Sequence, residues 1–198
     1  MKYPQSIQSL IDQLSLLPSV GPRTAERYVF FLLRQNPEYL QTLAQAIAEL
    51  KEKTLVCNTC FAIASSSPCR ICSDKKRDLG TICVVANSRD QFTLEATNEF
   101  NGLYHVLGGL IDTIENIKPE QLKIKSLVDK LKTGSIKEVI LALNPTIEGE
   151  STIMYLTKTI KPFRIKITRL AKGLPMGSDM EYADEITLAN ALKFRNTL

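Results

Sequence analysis

Two pairs of cysteines within sixteen residues constrain this chain more than any other feature of its sequence. Two residues separate Cys57 from Cys60 and Cys69 from Cys72, and eight residues lie between the pairs. Two cysteines at this spacing on a tight turn can point both sulfurs at one ion, and two such turns complete the tetrahedral shell that Zn²⁺ prefers. Because four thiolates leave no open coordination position, the spacing predicts one structural zinc ion per chain.

The cysteine pattern has two other interpretations. Disulfide bonds would use the same residues, but a reducing cytosolic compartment disfavours them. A redox-active Cys-x-x-Cys pair would not need its duplicate. Cys83 lies alone in the apolar stretch "TICVV", where we expect a buried small hydrophobic residue. His105 is expected in the core or at its rim, since four cysteines already complete the shell.

Hydropathy and net charge indicate where in the cell the protein works and what kind of partner it binds. No apolar run approaches the roughly 18 residues that mark a membrane helix, and "MKYPQSIQSL" lacks the apolar segment of a signal peptide. We therefore expect a cytoplasmic protein with no membrane partner. The net charge of +4 permits a polyanionic partner without requiring one. Residues 158–172 carry six basic and no acidic residues, which indicates a solvated face or a nucleic-acid contact.

The amino-terminal part of the chain has the periodicity of helices. Apolar residues recur at helical spacing in residues 6–17, the stretch "LPSVGP" interrupts them, and the spacing resumes through Leu32. Asn36 and Pro37 then predict the N-cap and first residue of a third helix. We expect an all-helical segment that ends near the cysteines.

The interruption between the first two helices has a recognisable form. The stretch "LLPSVGPRTAERYVFFLL" resembles the helix-hairpin-helix motif of proteins that bind DNA without reading its sequence. Backbone amides and the positive end of the second helix would point at a phosphate, and nearby arginines would add charge. We predict Gly21, Arg23 and Arg27 as DNA-binding residues, although Ser19 replaces the glycine usual at the first hairpin position. The alternative is a helical hairpin that only packs or dimerises.

Beyond the cysteines, short apolar strands alternate with amphipathic helices. This alternation predicts an α/β multidomain protein whose mostly parallel sheet is covered on both faces. The predicted strands span residues 81–86, 104–107, 137–143 and 163–168, and the predicted helices span about 89–98, 119–132, 150–160 and 185–195.

Five segments, in order along the chain, resemble the RecR family of bacterial recombination mediator proteins. They are "LPSVGPRTAER", "CNTCFAIASSSPCRIC", "YHVLGGLI", "EVILALNPTIEGESTIMYL" and "TRLAKGLPMGSDMEYADEITLANAL". The resemblance covers essentially the whole chain. It implies a helix-hairpin-helix domain at residues 1–53, a four-cysteine zinc-finger module at 54–78, a Toprim domain at 79–172 and a carboxyl-terminal helical assembly segment at 173–198.

The Toprim fold that this resemblance implies is shared with topoisomerases, primases and some nucleases. Catalytic members hold Mg²⁺ with a glutamate after the first strand and an Asp-x-Asp pair after a later one, because Mg²⁺ prefers hard oxygen ligands. Here Ala86 stands at the first position and Asn144-Pro145-Thr146 at the second. We therefore expect no catalytic residues and no enzyme. The alternative is a divergent nuclease that uses Glu148, Glu150 and Asp90 as substitute ligands.

The resemblance implies a role in recombinational DNA repair. Family members form ring-shaped tetramers and work with RecO and RecF, helping recombinase to replace single-strand-binding protein at gaps. For this chain we expect a homotetramer or a dimer. RecO docks on the acidic part of the Toprim domain, so Glu148 and Glu150 are the predicted partner-binding residues. Alternatively, these acids only favour the start of a helix through its dipole. A third function, a scaffold for proteins alone, would be indicated by binding to RecO but not to DNA.

Overall fold

The computed structural model describes residues 3–195. Residues 1–2 and 196–198, at the ends of the predicted first and last segments, lie outside the described residues. The chain divides into two compact units, and the boundary falls between Lys53 and Thr54.

The first unit consists of three helices. They are α1 at Gln5–Ser15, α2 at Pro22–Leu32 and α3 at Pro37–Glu52. Ile11 of α1 is buried against Ala25 and Val29 of α2, and these three residues form the core of the unit. The prediction for the third helix is confirmed, since the side chain of Asn36 accepts a hydrogen bond from the Tyr39 amide at 2.8 Å. By contrast, every residue of α3 remains exposed or half-exposed.

The cysteine module opens the second unit and has very little regular structure of its own. A two-stranded antiparallel ribbon pairs β1, at Leu55–Val56, with β2, at Ile63–Ala64. A single helical turn, α4, follows at Arg70–Ser73. Elements this short are not stable alone, so the module depends on its packing against the sheet.

A four-stranded parallel sheet forms the centre of the second unit, as the alternation of strands and helices predicts. Its strands are β3 at Asp78–Val85, β4 at Gly102–Val106, β5 at Glu138–Leu141 and β6 at Lys166–Arg169. Their order across the sheet is β4-β3-β5-β6, and each neighbouring pair is parallel. The predicted fourth strand starts three residues early, because residues Lys161–Phe163 form a 3-10 turn before it.

Different parts of the chain cover the two faces of the sheet. Helices α5 at Ser88–Glu95, α6 at Ile124–Leu131 and α7 at Ile147–Ile160 connect the strands. Along β3, Ile82 and Val84 belong to the core cluster that includes α6 and α7, whereas Cys83 and Val85 belong to the cluster that includes the paired cysteines. Successive side chains of a strand point to opposite faces. The continuous apolar run in β3 therefore reflects burial on both sides, and Cys83 is buried as predicted.

The chain beyond the sheet packs loosely. A 3-10 turn at Met180–Tyr182 precedes α8 at Glu185–Lys193, and every residue of α8 is exposed or half-exposed. Ile186 is 74% exposed and Leu192 is 69% exposed, so these two side chains find little apolar cover within the described part of their own chain. None of the helices described between residues 3 and 195 has the length and hydropathy required to span a bilayer.

Gly149 lies where the first turn of α7 passes over the backbone of the preceding loop. A Cβ atom there would lie 1.9 Å from the carbonyl oxygen of Asn144, which is backbone and cannot rotate away. We expect Gly149→Ala to lower the free energy of unfolding by about 1–3 kcal/mol, as overpacking of a core does. Urea unfolding would measure the change. Gly173→Ala is the matched control, because nothing lies within 4 Å of its added Cβ, and an equal loss in both variants would contradict the explanation.

Candidate metal centre and nucleic-acid interface

The four predicted ligands come together at one point. Cys57, Cys60 and Cys69 are buried and Cys72 is half-buried, and all four Sγ atoms lie within 4.8 Å of one another. The Sγ atoms of Cys57 and Cys72 are 4.0 Å apart, and those of Cys60 and Cys69 are 3.7 Å apart. A tetrahedral ion with bonds of about 2.3 Å to sulfur places its ligands about 3.8 Å from one another. The sulfurs therefore fit a metal ion of this kind.

Backbone hydrogen bonds hold the first cysteine turn in shape. The amide of Phe61 donates to the carbonyl oxygen of Cys57 at 2.9 Å, and Phe61 has a positive φ of 65° that closes the turn. The amide of Cys69 donates to the sulfur of Cys57 at 3.3 Å. Donors aimed at a sulfur favour its thiolate form, which is the form that binds metals.

Contacts among the sulfurs shift the pKa values of the thiols in opposite directions. A side-chain hydrogen bond with Cys72 lowers the pKa of the Cys60 thiol to about 5, and the same contact raises the pKa of Cys72. Cys83 differs, because burial raises its pKa to about 12 and keeps it a neutral thiol.

Lys130 and His105 of the sheet domain lie in contact with each other beside the first cysteine turn. The ammonium group of Lys130, on α6, donates to the carbonyl oxygen of Thr59 and lies 3.1 Å from Nδ1 of His105, on β4. His105 is buried, as predicted for a core residue, and its Nε2 lies 2.8 Å from the carbonyl oxygen of Lys123. A carbonyl only accepts, so Nε2 carries the proton and Nδ1 accepts from Lys130. Burial lowers the pKa of His105 to about 4, in agreement with a neutral ring.

The helical hairpin presents its predicted residues to solvent. Ser19 has a positive φ of 65°, so it occupies the strained position where a glycine is usual. Gly21 is the N-cap of α2, and no side chain caps the first turn of that helix. Arg23 and Arg27 are both exposed, and neither guanidinium group forms an ion pair or hydrogen bond with another residue in the described range 3–195. The positive end of α2 and two unpaired guanidinium groups therefore lie together.

The residues expected at the positions of a Toprim metal site lie at the carboxyl ends of β3 and β5. Ala86 follows β3 and is buried, and Asn144 follows β5 and is exposed. Thr146 is the N-cap of α7, where its hydroxyl accepts a hydrogen bond from the Gly149 amide at 3.2 Å. Among residues 3–195, the four cysteines are the one group of three or more candidate ligands close enough to share an ion. The substitute acids Glu148, Glu150 and Asp90 do not form such a group.

Glu150 is held by two cations at this edge of the sheet. Arg169, at the end of β6, donates to its carboxylate oxygens at 2.6 and 3.1 Å, and Lys172 donates to it at 2.8 Å. The hydrogen bond from Arg169, followed by that from Lys172, lowers the pKa of Glu150 to about 2. A metal ion at this carboxylate would have to displace both cations. Glu148 is half-exposed and lies two residues earlier in the first turn of the same helix.

The sequence matches known proteins along its whole length. A family profile described as "RecR, helix-hairpin-helix" matches residues 7–51, one described as "Toprim domain" matches 80–171, and one described as "RecR, C-terminal" matches 173–196. A protein of Bifidobacterium animalis subsp. lactis named "Recombination protein RecR" is 50% identical over 195 residues, which cover 98% of each chain. The chain belongs to the RecR family. Proteins of the same name from Moorella thermoacetica and Rippkaea orientalis are 48% and 49% identical, and the matches cover 100% and 99% of each chain.

The sequence patterns give no indication of several ion pairs that this RecR-family chain forms. Arg77 donates to Glu95 and to the carbonyl oxygens of Phe100 and Gly102. Three of the six basic residues in the run 158–172 pair with acids; they are Lys166 with Glu138, and Arg169 and Lys172 with Glu150. No local spacing signals these contacts, because the partners lie between 18 and 28 residues apart.

Proposed function

We propose that this chain is a non-enzymatic DNA-binding mediator of recombinational repair that works in the cytoplasm. In this proposal it forms a ring-shaped clamp, acts with RecO and RecF, and helps to load recombinase at single-stranded gaps. The observation that carries the proposal is the pair of exposed, unpaired arginines, Arg23 and Arg27, beside the uncapped start of α2 within the described range 3–195. We assign residues 1–53 to DNA binding, 54–78 to zinc binding, 79–172 to partner binding and 173–198 to assembly, with a second assembly surface on α3 within residues 1–53.

DNA binding by this hairpin would not depend on base sequence. Backbone amides at a helix start and arginine side chains contact phosphates, which are the same for every base. Each such contact is weak, and several copies of the hairpin in one assembly would gain affinity through effective concentration. Gly21 would let the DNA backbone approach, since nothing lies within 4 Å of the space where a Cβ would be.

We assign zinc to the four-cysteine site. Four thiolate ligands with separations of 3.7 and 4.0 Å suit a tetrahedral ion with sulfur ligands, and a closed shell of this kind is structural. When bound, zinc would join the two cysteine turns across a module that has little secondary structure. Cys57, Cys60, Cys69 and Cys72 would all hold the same ion.

The proposal that the chain is not an enzyme rests on the residues at the carboxyl ends of the strands. Ala86 offers no ligand atom, and the carboxylate of Glu150 is already bound to Arg169 and Lys172. A divergent Toprim nuclease is the second candidate function, and the presence of Asp90 at a cavity of about 280 Å³ beside Asn144 and Arg169 is the observation that favours it. Magnesium-dependent cleavage of a labelled oligonucleotide, abolished in Asp90→Asn, would establish the nuclease instead.

Glu148 and Glu150 remain our proposed contacts for RecO. Both lie in the first turn of α7, where acids also stabilise the helix through its dipole. Glu148 is the more readily available of the two carboxylates, because Glu150 would have to exchange Arg169 and Lys172 for groups of the partner. Glu148→Lys should therefore weaken RecO binding, while the lost contact with the helix dipole should lower the free energy of unfolding by only about 1 kcal/mol.

Two separate apolar surfaces support a tetrameric ring. In the first unit, α3 and its neighbours line an apolar groove of about 390 Å³ that includes Leu10, Leu40, Leu43 and Ile47. In the second unit, α8 exposes Ile186 and Leu192. Exposed apolar patches mark interfaces, and two self-associating surfaces per chain are needed to close a tetramer from dimers. We propose that each surface pairs with its counterpart in another copy.

This assembly has a direct test in sedimentation velocity. Leu43→Asp with Ile47→Asp, or Ile186→Asp with Leu192→Asp, should each give dimers from tetramers, because each pair of changes places two charges in one interface. All four changes together should give monomers. The residues are exposed within the chain, so the fold itself should remain. Gln41→Asp is the matched control on α3, and three variants that all sediment like the unchanged protein would contradict the proposal.

The mediator function itself requires a loading assay. Gapped DNA is covered with single-strand-binding protein, and recombinase filament formation is followed after adding this protein with RecO and RecF. We expect faster loading with the complete set than with any one omitted. Binding to RecO without any binding to DNA would indicate a protein scaffold, and would contradict the proposed function.

A further inference from the structure

With zinc bound, the four-cysteine site would carry more negative charge than the ion can neutralise. Four thiolates around one divalent ion leave about two units of negative charge in a partly buried place. A buried charge is costly unless it is paired or bound by hydrogen bonds. The backbone amide of Cys69 supplies one donor, at 3.3 Å from the sulfur of Cys57. A positive side chain nearby would supply more.

Lys130 is placed to supply this charge. Its ammonium group donates to the carbonyl oxygen of Thr59, which lies between Cys57 and Cys60 in the first cysteine turn. It also lies 3.1 Å from Nδ1 of His105 and 5.7 Å from the centre of the Phe61 ring. The neutral imidazole, fixed by its bond to the backbone at residue 123, accepts from the ammonium group and does not compete with its charge. Lys130 is therefore held in one position, against the cysteine module.

The other lysines and arginines near the cysteine module are exposed or make different contacts. Arg70, Lys75 and Lys76 are exposed, and Arg77 is bound to Glu95. Lys123 lies 5.6 Å from the centre of the Phe61 ring, but no hydrogen bond to the module is found for its ammonium group in the described range 3–195. Of these six lysines and arginines, Lys130 is the one whose side chain donates to the backbone of a cysteine turn, within the same described range. It joins α6 of the sheet domain to that turn across 71 residues of chain.

We infer that Lys130 is a positioning residue for the metal site, which holds the first cysteine turn against the sheet and offsets the negative charge of the loaded cluster. The inference rests on the metal site proposed above. It assigns the sheet domain an active part in metal retention. The ammonium group of Lys130, on α6, supports the cysteine turn in addition to the backbone hydrogen bond that the Val106 amide of β4 donates to the carbonyl oxygen of Cys60 at 2.8 Å. Partners outside the ligand shell commonly change metal affinity by about 10–100-fold.

Metal retention tests this inference. Zinc-loaded protein is mixed with excess chelator, and release is followed with a zinc-sensitive dye. We expect Lys130→Met to release zinc about tenfold faster than the unchanged protein, as removal of such a partner does. Lys130→Arg should restore slow release, because guanidinium keeps the charge and donors. Lys132→Met is the matched control, since this lysine lies two residues further along the chain and its ammonium group pairs with the exposed carboxylate of Asp129.

A second readout separates charge from general packing. In cobalt-loaded protein, the sulfur-to-cobalt charge-transfer bands should shift in Lys130→Met and Lys130→Gln, and return in Lys130→Arg. If Lys130→Met does not fold, the comparison of the Gln and Arg variants still decides, because both keep a donor and only Arg keeps the charge. A protein that never binds zinc or cobalt would overturn the metal site itself. Zinc-binding protein whose Met and Gln variants release the ion at the unchanged rate would overturn the role of Lys130 alone.

Discussion

Replacement of Cys57 and Cys60 by alanine together should remove the bound metal and unfold the cysteine module. Structural zinc contributes about 10–16 kcal/mol in small zinc-binding peptides, and that binding free energy is also folding free energy. The strands β1 and β2 have two residues each, so their pairing is too short to replace the metal. We expect zinc content to fall from one ion per chain to none, measured by atomic absorption.

The damage should extend into the sheet. The module shares a buried cluster with Val85, Tyr104 and Val106 of β3 and β4, and its unfolding would expose that face to water. The melting temperature measured by calorimetry should fall strongly, and soluble tetramer should decrease. Cys83→Ala is the control, because this cysteine is buried but lies outside the four-sulfur group. It should keep its zinc and be destabilised by about 1 kcal/mol. A metal-free protein that remains folded and soluble would contradict the structural role of the site.

Charge reversal at Arg23 and Arg27 should have the largest effect on DNA binding. Each arginine that binds a phosphate releases counterions, so both the affinity and its dependence on salt reflect the number of phosphates neutralised. We expect Arg23→Glu with Arg27→Glu to lower DNA affinity at least about tenfold, and to reduce the slope of log K against log salt by about 1 for each phosphate no longer neutralised. Fluorescence anisotropy with labelled DNA over a salt titration would measure both.

The control for this experiment changes the same charge in the same unit. Arg34→Glu with Lys51→Glu alters two exposed basic residues away from the start of α2. We expect a smaller decrease of affinity and a smaller change of slope from this pair. Because Arg23 and Arg27 are exposed and make no ion pairs within residues 3–195, their reversal should leave the melting temperature unchanged. Equal salt slopes in the unchanged protein and the Arg23 and Arg27 variant would refute the hairpin as the DNA contact.

Features that depend on short spacing could be predicted from the sequence. The Cys-x-x-Cys turns, the Asn36 cap of α3 and the apolar run of β3 all follow from residues within a few positions of one another. The parallel sheet was predictable because alternating strands and helices have few other arrangements. The positive φ of Ser19 agrees with the hairpin motif, which usually has glycine there.

Contacts between distant parts of the chain could not be predicted in this way. Lys130 reaches Thr59 across 71 residues, and Arg169 reaches Glu150 across 19. Both depend on how strands and helices pack, which a single sequence pattern does not specify. The inability to predict such contacts matters most for Glu150, beside the carboxyl ends of the strands. The sequence presents Glu150 as a free acid, whereas its two cationic partners decide what else it can bind.

One measurement tests the central claim, that this protein binds DNA at gaps without cutting it. Labelled gapped DNA is sedimented with the protein and Mg²⁺ at about 0.1 M salt, where phosphate contacts are only partly screened, and the recovered strands are then separated on a denaturing gel. We predict that the DNA sediments with the protein and that its strands remain intact. DNA that sediments alone, or strands that are cleaved in a magnesium-dependent manner, would contradict a non-enzymatic DNA clamp.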